Sequence, residues 1–246
     1  LGRPLVTDPA WGIKAEQGRE AQIRYCVSCN TCWGAIVGGS TISCDNNPRV
    51  GADDEADWQP TRAAESRRIV VVGAGPAGLE AAWVAAARGH EVSVFAASSD
   101  VGGKTRLHSL LPGAENLSSV YDYQRLRADE FGVKFHFDHR ANAEDVLALR
   151  PDAVILACGS TPAWPHWLPE DYRDAEFFPD VRAVAARFSI RRSREAGTAV
   201  IYDQDHTAFT YATAQLLAQR YDRVVIVTPR EGVAAEEPLV NRQGIH

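Results

Sequence analysis

The sequence contains no methionine, not even at position 1. A chain as translated begins with one, so we expect a processed, cut or partial polypeptide. No apolar run approaches the roughly 18 residues of a membrane-spanning helix. The opening LGRPLVTDPAW lacks the charged stretch followed by an apolar one that marks a secretory leader. No block of like charge is present, and the formal net charge is only −6. A nucleic-acid surface and a membrane surface are therefore not expected. Short internal repeats and low-complexity segments are also missing. What remains is ordinary globular composition: 45% hydrophobic and 24% charged over 246 residues. That length supports a real core in one large or two small domains.

Cysteine is scarce except in one place. Four of the five lie between Cys26 and Cys44, and the fifth is Cys158. A secreted disulfide scaffold is usually shorter and spreads its cysteines out. Clustering in a chain of this size points to a metal centre in a reducing compartment, hence a cytoplasmic location. The spacing is Cys26-x2-Cys29-x2-Cys32, then eleven residues, then Cys44. Structural zinc usually takes two separated ligand pairs. Three thiols in one tight loop plus a distant fourth suit a cubane 4Fe–4S cluster, each thiolate capping one iron. The small neighbours Ser28, Asn30, Thr31 and Gly34 let backbone amides approach the sulfurs. Zinc, or unrelated thiols, are the alternative readings. Cys158 ends a strand-like run and reads as a small core residue.

The order of apolar patterns defines the fold class. Residues 1–60 read as irregular, with a short helix between Lys14 and Tyr25, and DDEADWQPTRAAESRR reads as a polar linker broken by Pro60. RIVVVG is a β-branched run fit for a buried parallel strand. PAGLEAAWVAAARGH reads as a helix opened by Pro76 and stopped at Gly89. EVSVFA is a strand, YDYQRLRADEFG a helix, and DAVILACG another buried strand. We expect an α/β fold: a doubly wound parallel-sheet nucleotide-binding domain over 61–165. It is preceded by the iron–sulfur segment (1–60) and followed by part of a second Rossmann-like domain (166–246), where TAVIYD, TAFTYATAQLLAQRY and DRVVIVTP repeat the pattern.

The first strand–helix junction carries Gly73-x-Gly75-x-x-Gly78. Alone the pattern is weak, but here both flanks are the required ones. Gly73 permits the tight turn, Gly75 lets the backbone approach a pyrophosphate, and Gly78 allows close helix–strand packing. The phosphates would sit at the helix N-terminus beside Pro76 and Ala77. An acidic residue that would hold the ribose hydroxyls is expected at the end of the second strand. Ala96 stands there, so altered binding of the adenosine part is expected. At the second junction, DQDHTAF has no glycine, and Asp203 and Asp205 occupy the place where a phosphate needs bare amides. That unit is expected to be a poor NAD(P)H site. The seven histidines are scattered without a partner constellation, so no catalytic acid–base residue is expected in this chain.

Taken together, GRPLVTDPAW, the cysteine cluster, SCDNNPRVG, VVVGAGPAGLEAAWVAAARGHEVSVF, VGGK and ILACGSTP resemble the iron–sulfur flavoproteins that include trimethylamine dehydrogenase and 2,4-dienoyl-CoA reductase. The resemblance covers nearly the whole chain. It implies that RPLVTDP is the closing strand segment of an FMN-holding barrel lying outside this chain, on a partner subunit or fragment. It implies that Cys26, Cys29, Cys32 and Cys44 ligate a 4Fe–4S cluster. Gly73, Gly75, Pro76, Ala77, Gly78 and Ala96 then mark an ADP or FAD site. Gly102, Gly103 and Lys104 give its second contact, and Ala157 and Gly159 the adjoining strand end. YDQDHTAF resembles the amine dehydrogenase branch, which passes electrons to an electron-transfer flavoprotein. The reductase branch uses NADPH instead. The implied function is an electron-transfer subunit or fragment. The alternatives are part of an enoyl- or dienoyl-thioester reductase, or a non-catalytic scaffold.

Overall fold

In a computed structural model of the chain, which describes residues 2–56, 58–173 and 177–245, the run Arg68–Val72 forms strand β1. It pairs in parallel with β2 (Glu91–Phe95) on one side and β4 (Ala153–Leu156) on the other. Beyond β2 lies β3 (Lys134–His136), giving the order β3-β2-β1-β4. Parallel neighbours need crossovers long enough for a helix. These are α4 (Pro76–Ala87), α6 (Ser118–Glu130) and α7 (Ala143–Ala148).

Helix α4 buries Leu79, Ala82, Trp83 and Ala86. Their spacing makes one helical stripe, and they pack with Val71, Val94, Tyr121 and Ala128 in a single core. Trp83 meets Trp58 and Tyr123 edge-on, with ring centres 5.8 and 6.4 Å apart. Each fully buried side chain of this size contributes about 1.5–3 kcal/mol. The helix stops where Gly89, at φ 94°, takes a left-handed turn.

The chain divides into two compact units. The first holds the residues up to Ser28, with Ser40–Arg106 and Asn116–Gly159. The second holds Cys29–Gly39, Leu107–Glu115 and the chain from Ser160 onward. In the second, β5 (Glu195–Tyr202) and β6 (Tyr221–Val227) pair in parallel. Helices α8 (Val181–Ile190) and α9 (Ala208–Ala218) pack on each other, and Leu111, Phe188, Phe209, Leu216 and Leu217 fill the core. Helix α10 (Leu239–Ile245) closes the described chain.

Four expectations are corrected. RPLVTDP is a helix, α1 (Gly2–Thr7), not a strand; Asp8 N–H donates to Pro4 O and Thr7 Oγ1 to Arg3 O. The single helix expected over Lys14–Tyr25 is instead α2 (Trp11–Glu16) and a one-turn 3-10 segment at Glu20–Gln22, because Gly18 at φ 67° breaks the helix between them. The cysteine segment is not wholly irregular, since α3 (Thr31–Val37) carries Cys32. Finally, β4 is an edge strand rather than a fully buried one. Leu156 is 77% exposed and Cys158 is exposed, not a core residue.

Candidate functional site

At the end of β1 the sequence forces a turn that only glycine fits. Gly73 sits at φ 112°, and a Cβ there would lie 2.2 Å from the Ala157 carbonyl oxygen. A Cβ on Gly78 would lie 1.9 Å from Gly73 O. These two glycines are therefore needed for packing of helix on strand. Gly75 differs: its φ is −77°, any residue could adopt it, and a Cβ would meet nothing within 4 Å. The face above Gly75 is thus open, as a pyrophosphate approach requires.

The other expected contacts converge on the same turn. Gly102 N–H donates to Ala74 O at 2.8 Å, and Gly103 backs onto Gly75, where a Cβ would come 3.2 Å from Gly75 Cα. Helix α5 (Gly103–Ser109) starts there, with Lys104 exposed in its first turn. Ala157 N–H donates to Val72 O, and Gly159 follows at φ 74° with open space around it. Pro76 and Ala77 form the first turn of α4, a 12-residue helix, with Ala77 exposed. Exposed backbone amides and the helix dipole at this end suit an anion.

Ala96 is almost wholly buried and offers no side-chain polar group to a ribose. Its backbone is spent on the sheet end: Ala96 N–H donates to His136 O, and His139 N–H donates to Ala96 O, both at 2.9 Å. Phe95 stacks on His136 at 4.8 Å. His139 pairs with Asp145 at 3.0 Å, and that carboxyl is held below its usual value chiefly by a backbone N–H, from Asn142.

The thiols divide between the units: Cys26 and Cys44 in the first, Cys29 and Cys32 in the second. None of the five cysteines is in a disulfide. In the first unit Ser28 N–H donates to Cys26 Sγ at 3.4 Å, and Thr7 Oγ1 lies 3.7 Å from Cys44 Sγ. Ser28 and Asn30 both hold left-handed backbones, at φ 58° and 61°. Such conformations are uncommon outside glycine and concentrate at ligand clamps. Asn46 Nδ2 donates to Tyr25 O and to Ser119 Oγ, tying the loop to α6. In the second unit Asn241 Nδ2 donates to Cys29 O, and Asn30 Nδ2 to Asn241 Oδ1 at 2.7 Å. Among the described residues no group of three or more His, Cys, Asp or Glu is placed to hold a metal ion. The donor chemistry nonetheless fits an iron–sulfur cluster, with four half-buried thiols and an amide already turned onto one sulfur.

At the second junction the structure fills the turn with its own side chains. Asp203 is fully buried and accepts from His206 N–H at 3.0 Å and Tyr211 OH at 2.8 Å. Asp205 accepts from Thr207 N–H and from the Thr207 and Thr210 hydroxyls at the start of α9. Burial first, then the Asp203 carboxylate, push the Tyr211 phenol up to about 12. Sequence reasoning missed Tyr211, Asn46 and Asn241. The NNP run after Cys44 was a usable signal for Asn46, whereas nothing local marks Asn241.

A phosphate-ready βαβ turn of this kind defines a Rossmann-like nucleotide-binding protein, and the family described as NAD(P)-binding Rossmann-like domain matches residues 71–124. The chain is 37% identical over 244 residues to a probable N-methylproline demethylase of Rhizobium meliloti (strain 1021), covering 98% of this chain and 34% of that protein. It is 31% identical over 250 residues to an NADH oxidase of Thermoanaerobacter brockii, covering 98% of this chain and 37% of that one. Among solved structures it resembles histamine dehydrogenase from Rhizobium sp. 4-9, with a TM-score of 0.79 and 29% identity over 99% of this chain and 37% of that one. The chain thus spans about a third of the length of the curated relatives it matches. Over that span its relatives are oxidoreductases by name, a demethylase, an oxidase and a dehydrogenase. Among the described residues no helix is long and apolar enough to cross a membrane.

Proposed function

We propose that this chain is the electron-transfer part of an iron–sulfur flavoprotein oxidoreductase of the amine dehydrogenase type. Cys26, Cys29, Cys32 and Cys44 would hold a 4Fe–4S cluster, and the turn at Gly73, Gly75 and Gly78 would hold ADP or the ADP part of FAD. When bound, the cluster would supply one-electron relay between an FMN held by a barrel outside this chain and an external acceptor such as an electron-transfer flavoprotein. The chain's own residues bind and shield. The Ser28 amide, which donates to Cys26 Sγ, would hold that thiolate. Gly75 and Gly103 leave the phosphate approach bare. A reducing, cytoplasmic compartment follows from the same reading, because clustered thiols must stay reduced to bind metal.

The observation that carries this reading is the cysteine spacing beside a bare glycine turn, in a chain homologous to amine-oxidising flavoproteins. Anaerobic purification and iron and sulfide analysis test it. The expected result is about four irons and four sulfides per chain, visible absorbance, and an EPR signal after dithionite. A colourless chain carrying stoichiometric zinc would sink it.

A second reading, part of an NAD(P)H-dependent reductase, is favoured by the NADH oxidase relative. The buried Asp203 in the second turn opposes it, since a carboxylate there repels a phosphate. Rapid mixing of the reconstituted protein with NADH or NADPH separates the two. Bleaching of bound flavin supports the reductase, and no change supports the amine dehydrogenase type.

A further inference from the structure

The first unit contains a cavity separate from the glycine turn. Its volume is about 100 Å³. Five cations line it, Lys14, Arg19, Arg24, Arg49 and Arg127, against two carboxylates, Asp8 and Glu55. This excess occurs in a chain whose net charge is −6.

The two carboxylates are already occupied. Asp8 pairs with Lys14 at 2.6 Å and accepts the amides of Ala10 and Arg24. Glu55 accepts from Asn47 Nδ2 at 3.1 Å and from Gly51 N–H at 2.7 Å. Burial pushes the Lys14 ammonium below its usual value, as expected where charge of one sign is crowded away from water.

The arginines are held but not neutralised inside the cavity. Arg49 pairs with Asp54, and Arg127 with Glu130, acids that do not line the cavity. The Nε of each is buried with no hydrogen-bond partner. Arg24 lies 4.0 Å over the Tyr123 ring and Arg49 5.3 Å over Trp58, so aromatic faces fix their planes. Arg19 donates to Gln22 Oε1, and neither Arg19 nor Arg24 is in an ion pair among the described residues. Buried donors without acceptors are costly, and four guanidinium forks offer the geometry that oxyanions accept.

We propose that this cavity binds a small phosphate-class oxyanion through Arg19, Arg24, Arg49 and Arg127. An anion offsets the positive surplus of the lining, and its oxygens suit the planar N–H forks of the arginines. A spherical chloride would leave the planar forks unmatched.

Calorimetric titration and thermal unfolding of the full chain test this, with inorganic phosphate compared with sodium chloride at matched ionic strength. The expected result is saturable binding of one phosphate with a raised melting temperature. Arg19→Ala/Arg24→Ala should weaken it about tenfold or more. Arg19→Lys, a rim change that keeps the charge but not the fork, should weaken it less than Arg19→Ala and guards against misfolding of the double variant. Gly75→Ala should leave phosphate binding intact. Equal effects of phosphate and chloride, or binding untouched by the arginine changes, would overturn the proposal. Loss of phosphate binding in Gly75→Ala would place the anion at the glycine turn and overturn it too.

Discussion

Gly75 and Gly78 lie three residues apart in one motif, yet the structure assigns them different work, and two alanine substitutions separate the two. In Gly78→Ala the new Cβ would stand 1.9 Å from Gly73 O and 3.0 Å from Gly73 C. Both are backbone atoms of a turn already fixed by Gly73 N–H donating to Phe95 O. No rotamer relieves that clash, so α4 must move off β1. Overpacking of this severity costs about 3 kcal/mol or more, which lowers the melting temperature by about 6–12 °C for a chain of this size. In Gly75→Ala the Cβ meets nothing within 4 Å at an ordinary φ of −77°. Stability should change by no more than about 1 kcal/mol, since reduced chain entropy offsets a weaker N-cap. The same methyl stands in the phosphate approach, and ADP affinity should fall about tenfold or more. Thermal unfolding and equilibrium dialysis with ADP read the two effects separately. If Gly78→Ala melts within about 2 °C of the parent, the packing account is wrong. If Gly75→Ala binds ADP undiminished, the nucleotide is not at this turn.

Ala96→Asp restores a carboxylate at the strand end and should raise ADP affinity by about tenfold through the ribose hydroxyls, as charge-assisted hydrogen bonds contribute; unchanged affinity in a dialysis assay would show that the ribose lies elsewhere. Tyr211→Phe strips a donor from buried Asp203 and the acceptor of the Ala234 amide, costing about 2 kcal/mol or more by denaturant unfolding. The parent should also show a pH slope that this variant lacks. Tyr211 is raised from 10.0 to about 12 in the folded chain, so the unfolded chain loses that proton first. Stability is flat below about pH 10 in this respect and falls as pH rises from 10 to 12. Asn142→Ala removes a capping box in which Asn142 Oδ1 accepts from Asp145 N–H and Asp145 Oδ2 from Asn142 N–H. It should cost about 1 kcal/mol and be read most clearly as faster amide exchange across α7.

The nucleotide unit was legible in the sequence because its signals are local. A β-branched run bounded by a glycine turn favours a strand, and the Leu79, Ala82, Trp83, Ala86 stripe shows its period in the letters themselves. Gly73 and Gly78 were readable for the same reason, since the clash each avoids is with backbone a few residues away or one strand over. Position in the sheet was not local. Nothing in DAVILACG says that β4 has a neighbour on one side only, so Cys158 looked like core and is exposed.

The thiol segment shows its residue types in the sequence and not its conformation. The spacing of Cys26, Cys29, Cys32 and Cys44 is what carries the proposed ligand set, since a cluster would ask for thiols at such intervals. The backbone between them obeys other residues. Gly18 ends a helix before Cys26, Asn30 takes a left-handed cap ahead of α3, and Asn241, more than 200 positions later, accepts the Asn30 amide and holds the Cys29 carbonyl. Such restraints come from chain far away, so a pattern reader sees an irregular loop where a helix forms. It follows that Asn241→Ala should disturb Cys29 without touching any cysteine, and that iron content of the reconstituted protein should fall in this variant while ADP binding at the glycine turn, which depends on none of these contacts, stays at the parent's value.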